Sequence, residues 1–335
     1  MLVLRSSRLS DLPGVEQLAA ESPVGVTSLP ADRETLYRKI QASLDSLAAD
    51  VSFYGEESYF FVLEDSRTGE LVGVSGITAS AGFNEPFYSY RNETLIHASP
   101  GLGINNRIHA LSLCHDLTGN SLLTSYHVRK PLRFTAWSDL LSRGRLLFIA
   151  QWPERFAEGI VSEMVGVCRD DGSSPFWDSV GKVFFQISYQ QAEYYCGVKG
   201  RKFIAELMPQ HPLYVPLLDD EAQAAMGQIN PSAEVSYDIL TREGFEAENY
   251  IDIFDGGPTL HAATRNVRTV AQSRLARVDS GHGGGTPCLV ATTRLDDFRV
   301  TVVDAEHTGA GLTLPADAMS ALGLKPGDTV RFAPL

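Results

Sequence analysis

Three basic residues lie in a loop between an apolar segment and an amphipathic one. The apolar segment, residues 122–128, predicts a strand; residues 138–150 predict a helix; the loop carries Arg129, Lys130 and Arg133. The first N–H groups of a helix have no partner within it, and the helix dipole favours negative charge there. A helix start beside a basic loop is therefore suited to an anion. We expect a phosphate-bearing ligand here.

Acidic and phenolic side chains elsewhere could transfer a proton or bind a cation. Glu206 lies in an apolar segment that predicts a strand, where burial would make its carboxylate a stronger base. Tyr214 is a candidate acid. Asp252 and Asp255 flank a Gly-Gly turn. They could bind a cationic group, or Asp255 could stabilise the turn.

Histidines and one amide complete the polar candidates. His97 and His127 follow or lie in predicted strands, which favours a place in the core, and His211 lies in a loop, which favours solvation. Asn230 precedes Pro231 at the start of a predicted helix, a pattern typical of an N-cap.

The composition limits the classes of protein to which the chain can belong. Its 335 residues are 44% hydrophobic and 21% charged, which is typical of globular proteins of about two domains. The net charge of −13 argues against nucleic-acid binding and is compatible with a cationic substrate. We find no leader-like segment and no apolar run near the roughly 18 residues of a membrane span. Four cysteines without a CxxC pair indicate free thiols in a reducing compartment, and we expect a cytoplasmic protein.

Hydrophobic periodicity predicts an α/β (α+β) fold with a mixed sheet, because helical and strand patterns alternate along the chain. The predicted strands are residues 1–5, 59–64, 71–77, 93–98, 122–128, 160–167, 183–187, 202–207 and 250–254. The predicted helices begin at residues 10–13 and 174–177 or cover residues 36–49, 138–150, 190–195 and 232–243.

We divide the chain into three parts. Residues 1–190 form a core, and residues 191–279 form a second α/β segment that completes the active site. Residues 280–335 hold a Gly-rich linker and a small β-rich module that we interpret as a packing or subunit-contact element. A weak likeness between residues 177–187 and 237–254 suggests a duplicated second half.

Eight segments, in order along nearly the whole chain, resemble the arginine N-succinyltransferase family, most closely its alpha subunits. Examples are Ser-Pro-Phe-Trp at 174–177 and Tyr-Ile-Asp-Ile-Phe-Asp-Gly-Gly-Pro-Thr at 250–259; the others lie within 26–30, 61–65, 85–91, 97–99, 116–121 and 203–209. The resemblance implies a GNAT-like acyl-CoA N-acyltransferase fold. It also implies transfer of succinyl from succinyl-CoA to the α-amino group of L-arginine, or of L-ornithine, in arginine catabolism. No metal and no permanently bound cofactor is implied.

The resemblance also implies a CoA site. The family's backbone contact to CoA matches Tyr126, with Val128 as its alternating neighbour. The superfamily pattern Arg/Gln-x-x-Gly-x-Gly/Ala, which binds the pyrophosphate, matches Arg133, Ala136 and Ser138. Both glycines are replaced, and a Cβ restricts how closely backbone N–H groups approach a phosphate.

The family's proton-donor histidine matches Asn230, within Gly-Gln-Ile-Asn-Pro. An amide does not titrate near neutral pH, so it cannot act as a general acid or base, although it can donate a hydrogen bond to an oxyanion. We therefore keep Asn230, Glu206 and Tyr214 as catalytic candidates, and Asp252 and Asp255 as ligands of the guanidinium group.

Two functions of different class remain open. The first is an active arginine N-succinyltransferase, either a homo-oligomer or paired with a paralogous subunit. The alternative is a non-catalytic or regulatory subunit of a hetero-oligomeric succinyltransferase, because both the histidine and the glycines of the loop are replaced. An arginine-binding sensor is a third hypothesis. Neither nucleic acid nor a membrane is expected as a partner.

Overall fold

The computed structural model describes residues 1–200, 202–281, 284–308 and 311–335. His282 and Gly283, part of the predicted linker, lie outside the described residues. None of the helices in the described ranges is long and apolar enough to cross a bilayer.

The strands follow the chain in the order in which we number them. They are β1 (Leu2–Ser6), β2 (Ser58–Asp65), β3 (Leu71–Thr78), β4 (Ser89–Ser99), β5 (Ile104–Cys114), β6 (Ser121–Val128), β7 (Gly159–Glu163), β8 (Leu213–Tyr214), β9 (Glu246–Ile251), β10 (Pro258–Ala263), β11 (Arg274–Ser280), β12 (Thr286–Thr292), β13 (Arg299–Thr308), β14 (Gly311–Leu314) and β15 (Thr329–Pro334).

The α-helices are numbered in the same way. They are α1 (Leu12–Glu21), α2 (Arg33–Ala48), α3 (Ala136–Gln151), α4 (Pro175–Ser179), α5 (Gly181–Phe185), α6 (Tyr189–Lys199), α7 (Lys202–Leu207), α8 (Asp220–Ala225), α9 (Glu234–Arg242), α10 (Arg268–Gln272) and α11 (Ala316–Leu322).

One mixed sheet connects the molecule. Its order is β12-β15-β11-β14-β13-β1-β2-β3-β6-β7-β10-β9-β4-β5-β8. From β1 to β6 the neighbours are antiparallel, β6 and β7 are parallel, and from β7 to β8 the neighbours are antiparallel again. The predicted α/β fold with a mixed sheet is confirmed.

The parallel pair at the centre of this sheet is short. Among the described residues, β6 and β7 pair at two positions, Ser121 with Ile160 and Leu122 with Val161. On its other side β6 stays paired with β3 as far as Val128, with a bulge opposite Ser75. The two strands therefore part after Leu122 and leave a cleft between them.

Helix α3 begins beside this cleft and runs through the main core. Apolar residues 146–149 on it are fully buried. Phe148 packs against a group of aromatic rings with centroids 4.7 to 5.9 Å away: Tyr59, Phe61, Trp152, Phe156 and Phe298. Because the helix contacts several strands, its N-terminus has a defined position relative to β6.

Two segments that the sequence predicts as strands are helices. Residues 183–187 lie largely in α5, and residues 202–207 form α7. Both are short apolar runs, which periodicity alone cannot assign to a strand or a helix. Phe185 and Ile204 are buried in a second core cluster, whereas Phe184 and Leu207 are exposed.

The predicted strand at 250–254 is also wrong in its bounds. β9 ends at Ile251, and the residues that follow form the turn before β10. The strand predicted at 93–98 belongs to the longer β4, which pairs with β5 along eleven residue pairs. The sequence analysis missed β5, because much of this hairpin is exposed on both faces and lacks a simple alternation.

The C-terminal strands form a closed five-stranded sheet. Pairing of β12 with β13 closes the order β12-β15-β11-β14-β13 around a separate apolar cluster. β13 also pairs with β1 and so continues the main sheet. The division of the chain at residues 190 and 279 stays a prediction.

A fully buried ion pair joins α3 to the C-terminal end of α9. Arg143 Nε lies 2.8 Å from Glu243 Oε1, and both side chains are 1% exposed. The same guanidinium donates to the Pro334 carbonyl of β15 at 2.7 Å, and Glu243 accepts the Thr269 N–H of α10 at 2.6 Å. Burial lowers the pKa of Arg143. The ionic partner is needed to compensate for the lost hydration.

Removal of one member of this pair should destabilise the protein strongly. We expect Glu243→Gln to reduce the free energy of unfolding by about 3–5 kcal/mol, because it leaves a buried guanidinium without its counter-ion. Denaturant unfolding followed by tryptophan fluorescence measures the change. The control is Arg242→Gln, which removes an exposed pair with Asp139 and should cost about 1 kcal/mol or less. Equal losses for the two variants would contradict the prediction.

Candidate active site

The cleft between β6 and β7 contains a cavity of about 740 Å³. Residues 122–130 of β6 and its following loop line one wall, and residues 162–165 at the end of β7 and just after it line the other. Residues 25–28 of the α1–α2 loop and four residues around the start of α9 also contribute: Ser232, Ala233, Val235 and Ser236. The cavity therefore lies at the only parallel contact of the main sheet between β1 and β8 in the described residues.

The bulge in β6 shapes the cavity wall. Ser125 has a φ of 56°, which is unfavourable for a residue with a side chain. Its N–H donates to Ser28 Oγ at 2.8 Å, and its hydroxyl donates to the Ser28 carbonyl at 2.9 Å. These contacts with the α1–α2 loop compensate for the strained backbone and fix the shape of the strand beside the cavity.

Arg145 supports the bulge from beneath. The side chain is 1% exposed, and its guanidinium donates to the carbonyl oxygens of Gly76 and Thr124, both at 3.3 Å. It lies 5.7 Å from the centroid of the Tyr126 ring. Burial lowers its pKa to about 10, so it stays charged at neutral pH. The sequence analysis missed this residue; an arginine on an apolar helix was the available signal.

Three of the five residues expected to bind CoA line the cavity: Tyr126, Val128 and Arg133. Tyr126 is half-buried, and its hydroxyl donates to the Ser138 carbonyl at 3.2 Å. The tyrosine thereby connects β6 to the first turn of α3.

Ala136 and Ser138 lie in the first turn of α3, next to the cavity but not in its lining. Thr135 is the N-cap, and its side chain accepts from the Trp137 N–H at 3.3 Å. Ser138 is buried and donates to the Thr135 carbonyl at 2.7 Å. Positive φ occurs at Phe134 rather than at either replaced glycine, so the loop takes its left-handed residue next to Arg133.

The basic residues of the loop differ in how far their charge is neutralised. Arg129 pairs with Glu21 at 3.3 Å and also with Glu70. Arg133 donates to the carbonyl oxygens of Pro231 and Ser232 at 2.9 and 3.3 Å, and no described carboxylate pairs with it. Arg133 therefore retains its positive charge at the cavity.

His127 also lines the cavity, although the sequence analysis favoured a core position for it. Its Nε2 is buried and has no hydrogen-bond partner among the described residues. Burial lowers the pKa of the imidazole, so the ring is neutral at neutral pH. A neutral imidazole can accept a proton.

Asn230 caps the helical turn that leads into α9. Its Oδ1 accepts from the Ser232 N–H at 2.9 Å, and its N–H donates to the Val165 carbonyl at 2.8 Å. This is the N-cap that the sequence predicts. The residue joins the turn to the segment after β7 but does not line the cavity.

Glu206 and Tyr214 lie outside the cavity lining. The expected buried strand position of Glu206 is wrong, because the residue lies on α7 and its side chain is exposed. Tyr214 ends the short strand β8, is 38% exposed, and its ring centroid lies 5.9 Å from that of His97. Their catalytic roles stay predictions.

Asp252 and Asp255 are buried and organise the turn before β10. Asp252 Oδ1 accepts from the N–H groups of Phe254 and Asp255 at 2.7 and 3.0 Å. Asp255 accepts from the N–H groups of Gly166 and Gly257 at 2.7 and 2.8 Å. Burial raises the pKa of Asp255. Turn stabilisation, weighed as an alternative for Asp255, is what these contacts provide.

A second cavity of about 470 Å³ adjoins the first. The two share Thr27, Ser28, Leu122 and Thr124 in their linings. The second cavity extends towards α2, the loop before β4 and the end of α6, and its lining includes Lys39. The site thus has a cleft beside the basic loop and a chamber on the side of α2.

Comparison with known proteins places this site in a family. A model described as "Arginine N-succinyltransferase beta subunit" matches residues 2–269, and that of its C-terminal domain matches residues 269–334. "Arginine N-succinyltransferase subunit alpha" of Pseudomonas aeruginosa is 58% identical over 335 residues and covers 99% of each chain. "Arginine N-succinyltransferase" of Enterobacter sp. is 41% identical and covers 100% of this chain and 98% of that one. The subunit letter differs between the family model and the Pseudomonas relative.

A solved structure agrees over the whole chain. The structure of "arginine/ornithine succinyltransferase subunit AI from Pseudomonas aeruginosa" superposes with a TM-score of 0.93 at 55% identity. The match covers 100% of this chain and 98% of the other.

The geometry of Asn230 gives a prediction that separates capping from chemistry. We expect Asn230→Asp to keep the stability of the protein, and Asn230→Ala to lose about 1 kcal/mol, because aspartate replaces the cap acceptor and alanine does not. Thermal and denaturant unfolding of the two variants measures the difference. An equal loss of stability in both variants would contradict the capping role.

Proposed function

Since the chain belongs to the arginine N-succinyltransferase family, we propose that it is an acyltransferase that transfers succinyl from succinyl-CoA to the α-amino group of L-arginine or L-ornithine. The observation that carries the proposal is the parting of β6 from β7 beside Arg133 and the start of α3. It supplies a cavity with a free strand edge at one end and positive charge at the other.

CoA suits this cavity because both of its polar parts meet a complementary group. Past Leu122 the inner edge of β6 has no partner strand in the described residues, so backbone groups near Tyr126 and Val128 are available to the amides of pantetheine. Arg133 and the first turn of α3 offer charge and dipole to the pyrophosphate. CoA is a substrate here rather than a resident cofactor.

The reaction requires one proton to leave the amine and one to reach the sulfur. The neutral amine attacks the thioester carbonyl, the C–N bond forms, the C–S bond breaks, and CoA departs as a thiol. His127 is the described residue best suited to accept the amine proton, because it is neutral and lies in the cavity lining. Asn230 contributes by position: its side chain caps the helical turn, and its backbone N–H joins that turn to Val165 after β7.

The alternative function is that of a non-catalytic subunit. The observation in its favour is that Asn230, where the family resemblance implies a proton-donor histidine, is used as a helix cap. A purified chain, assayed alone for CoA release from succinyl-CoA with arginine, separates the two. Sustained turnover supports the enzyme, whereas binding of succinyl-CoA without turnover supports the alternative.

We also propose that the protein forms an oligomer and that it is located in the cytoplasm. The exposed β4–β5 hairpin carries Ile96, Leu102 and Ile104 with 67%, 75% and 45% of their surface accessible, which is compatible with a subunit contact in a homo- or hetero-oligomer. The four cysteines are free thiols, which is compatible with a cytoplasmic location.

Arg133 should contribute to CoA binding more than Arg129 does. We expect Arg133→Ala to raise the KM for succinyl-CoA about tenfold with a smaller effect on kcat, because it removes a charge-assisted contact to phosphate. Arg129→Ala is the matched control, since Glu21 and Glu70 already neutralise that guanidinium. Steady-state kinetics at several salt concentrations make the comparison, and a larger effect for Arg129 would contradict it.

His127 should control the acid limb of the pH–rate profile. We expect His127→Gln to lower kcat about 10²-fold or more, since it removes the proton acceptor. Because the pKa of His127 is lowered, the wild-type rate should fall only below the ordinary histidine range, and that limb should disappear in the variant. His97→Gln, on the exposed hairpin, is the control. Retention of the acid limb in His127→Gln would refute this assignment.

A further inference from the structure

We propose that the second cavity is a carboxylate subsite in which the Lys39 ammonium binds a carboxylate of one of the two reactants. The inference rests on the proposed function and deepens it. Two carboxylates are available: the terminal one of the succinyl group and the α-carboxylate of the amino acid. Both present the same chemistry to a cation.

Lys39 lies on α2 with its side chain directed to the cavity. Thr35, one turn earlier on the helix, and Arg38, its neighbour, also line the cavity. The residue is half-buried, and its Nζ lies 5.4 Å from the centroid of the Phe60 ring. No described carboxylate forms an ion pair with it. The cation is therefore held in place by packing rather than by a counter-ion.

The charge balance of the cavity favours an anionic group near α2. Arg38 adds a second positive charge at that wall, although its guanidinium is largely exposed and lies 4.0 Å from Glu34. Glu85 is the acidic residue of the lining and belongs to the loop before β4. Burial lowers the pKa of Lys39 to about 8, so the ammonium is mostly charged at neutral pH but poorly solvated. A bound carboxylate would compensate for that desolvation.

The position of the cavity connects this charge to the reaction. Leu122 and Thr124, shared with the first cavity, lie where β6 and β7 begin to part. Thr27 and Ser28 of the α1–α2 loop are also shared. A reactant whose reacting end lies at this junction can extend its charged end towards Lys39. The same loop holds the bulge at Ser125, so the subsite and the cleft share one wall.

Lys39→Met tests the inference, because methionine keeps much of the apolar stem and removes the charge. Calorimetry measures the Kd of succinyl-CoA and the Kd of butyryl-CoA, whose acyl group is uncharged. It also measures the Kd of L-arginine and the Kd of agmatine, which lacks the α-carboxylate. The ratio of the two Kd values in each pair is the preference for the charged ligand. We expect Lys39→Met to weaken one charged ligand about 10- to 100-fold and to leave its uncharged counterpart within about twofold, the loss typical of a charge-assisted contact.

The two arms identify the source of the carboxylate. Loss of the preference for succinyl-CoA over butyryl-CoA assigns the subsite to the acyl group, and loss of the preference for arginine over agmatine assigns it to the amino acid. Lys39→Arg keeps a charge and should retain most of the preference. Arg38→Met, which removes a more exposed cation from the same wall, is the matched control and should change either preference less than threefold.

The inference would be overturned if both preferences were unchanged in Lys39→Met and this variant melted at or above the melting temperature of the wild type. Binding is measured without turnover, so the result stands even where the isolated chain releases no CoA. Absence of succinyl-CoA binding by the wild type would instead count against the proposed function. In that case the arginine and agmatine arm still decides the role of Lys39.

Discussion

The active site depends on how β6 is held after it leaves β7. Once the strands part, the backbone groups of β6 that face the cleft lose a partner strand, and unsatisfied groups in a buried position are costly. The bulge at Ser125 redirects the strand, and Arg145 donates to one carbonyl oxygen on each of the two paired strands, that of Gly76 on β3 and that of Thr124 on β6. The hydroxyl of Ser28 satisfies the Ser125 N–H. A buried cation and one loop thus maintain an open strand edge that a ligand can pair with.

Helix α3 connects the cleft beside β6 to the rest of the molecule. Its N-terminus faces the cavity, and Arg145 in its third turn supports β6. Arg143 joins α3 to the end of α9 through a buried ion pair and to the last strand through a hydrogen bond. The C-terminal closed sheet is therefore coupled to the site, although none of its described residues lines either cavity. Its contribution is positional: it fixes the far side of the helix whose start presents charge to the ligand.

The replaced glycines of the loop and the replaced histidine have different structural consequences. The loop without glycine has its left-handed residue at Phe134, directly after Arg133. Asn230 keeps the helix turn capped, so the wall formed by residues 232–236 stays in place. Neither substitution removes the cleft. His127 supplies a neutral imidazole within the lining, and we propose this imidazole as the proton acceptor.

The sequence by itself determined the α/β class, the strand–basic loop–helix unit and the cap at Asn230, because these follow from local periodicity, charge and capping preferences. It also identified three residues of the cavity: Tyr126, Val128 and Arg133. Only the tertiary structure decided that residues 202–207 are a helix, that Asp255 binds backbone groups of a turn, and that Arg145 and Lys39 border the cavities. These outcomes depend on which distant segments bury a given side chain, and a short apolar run or a lone charge carries no local signal of its partners.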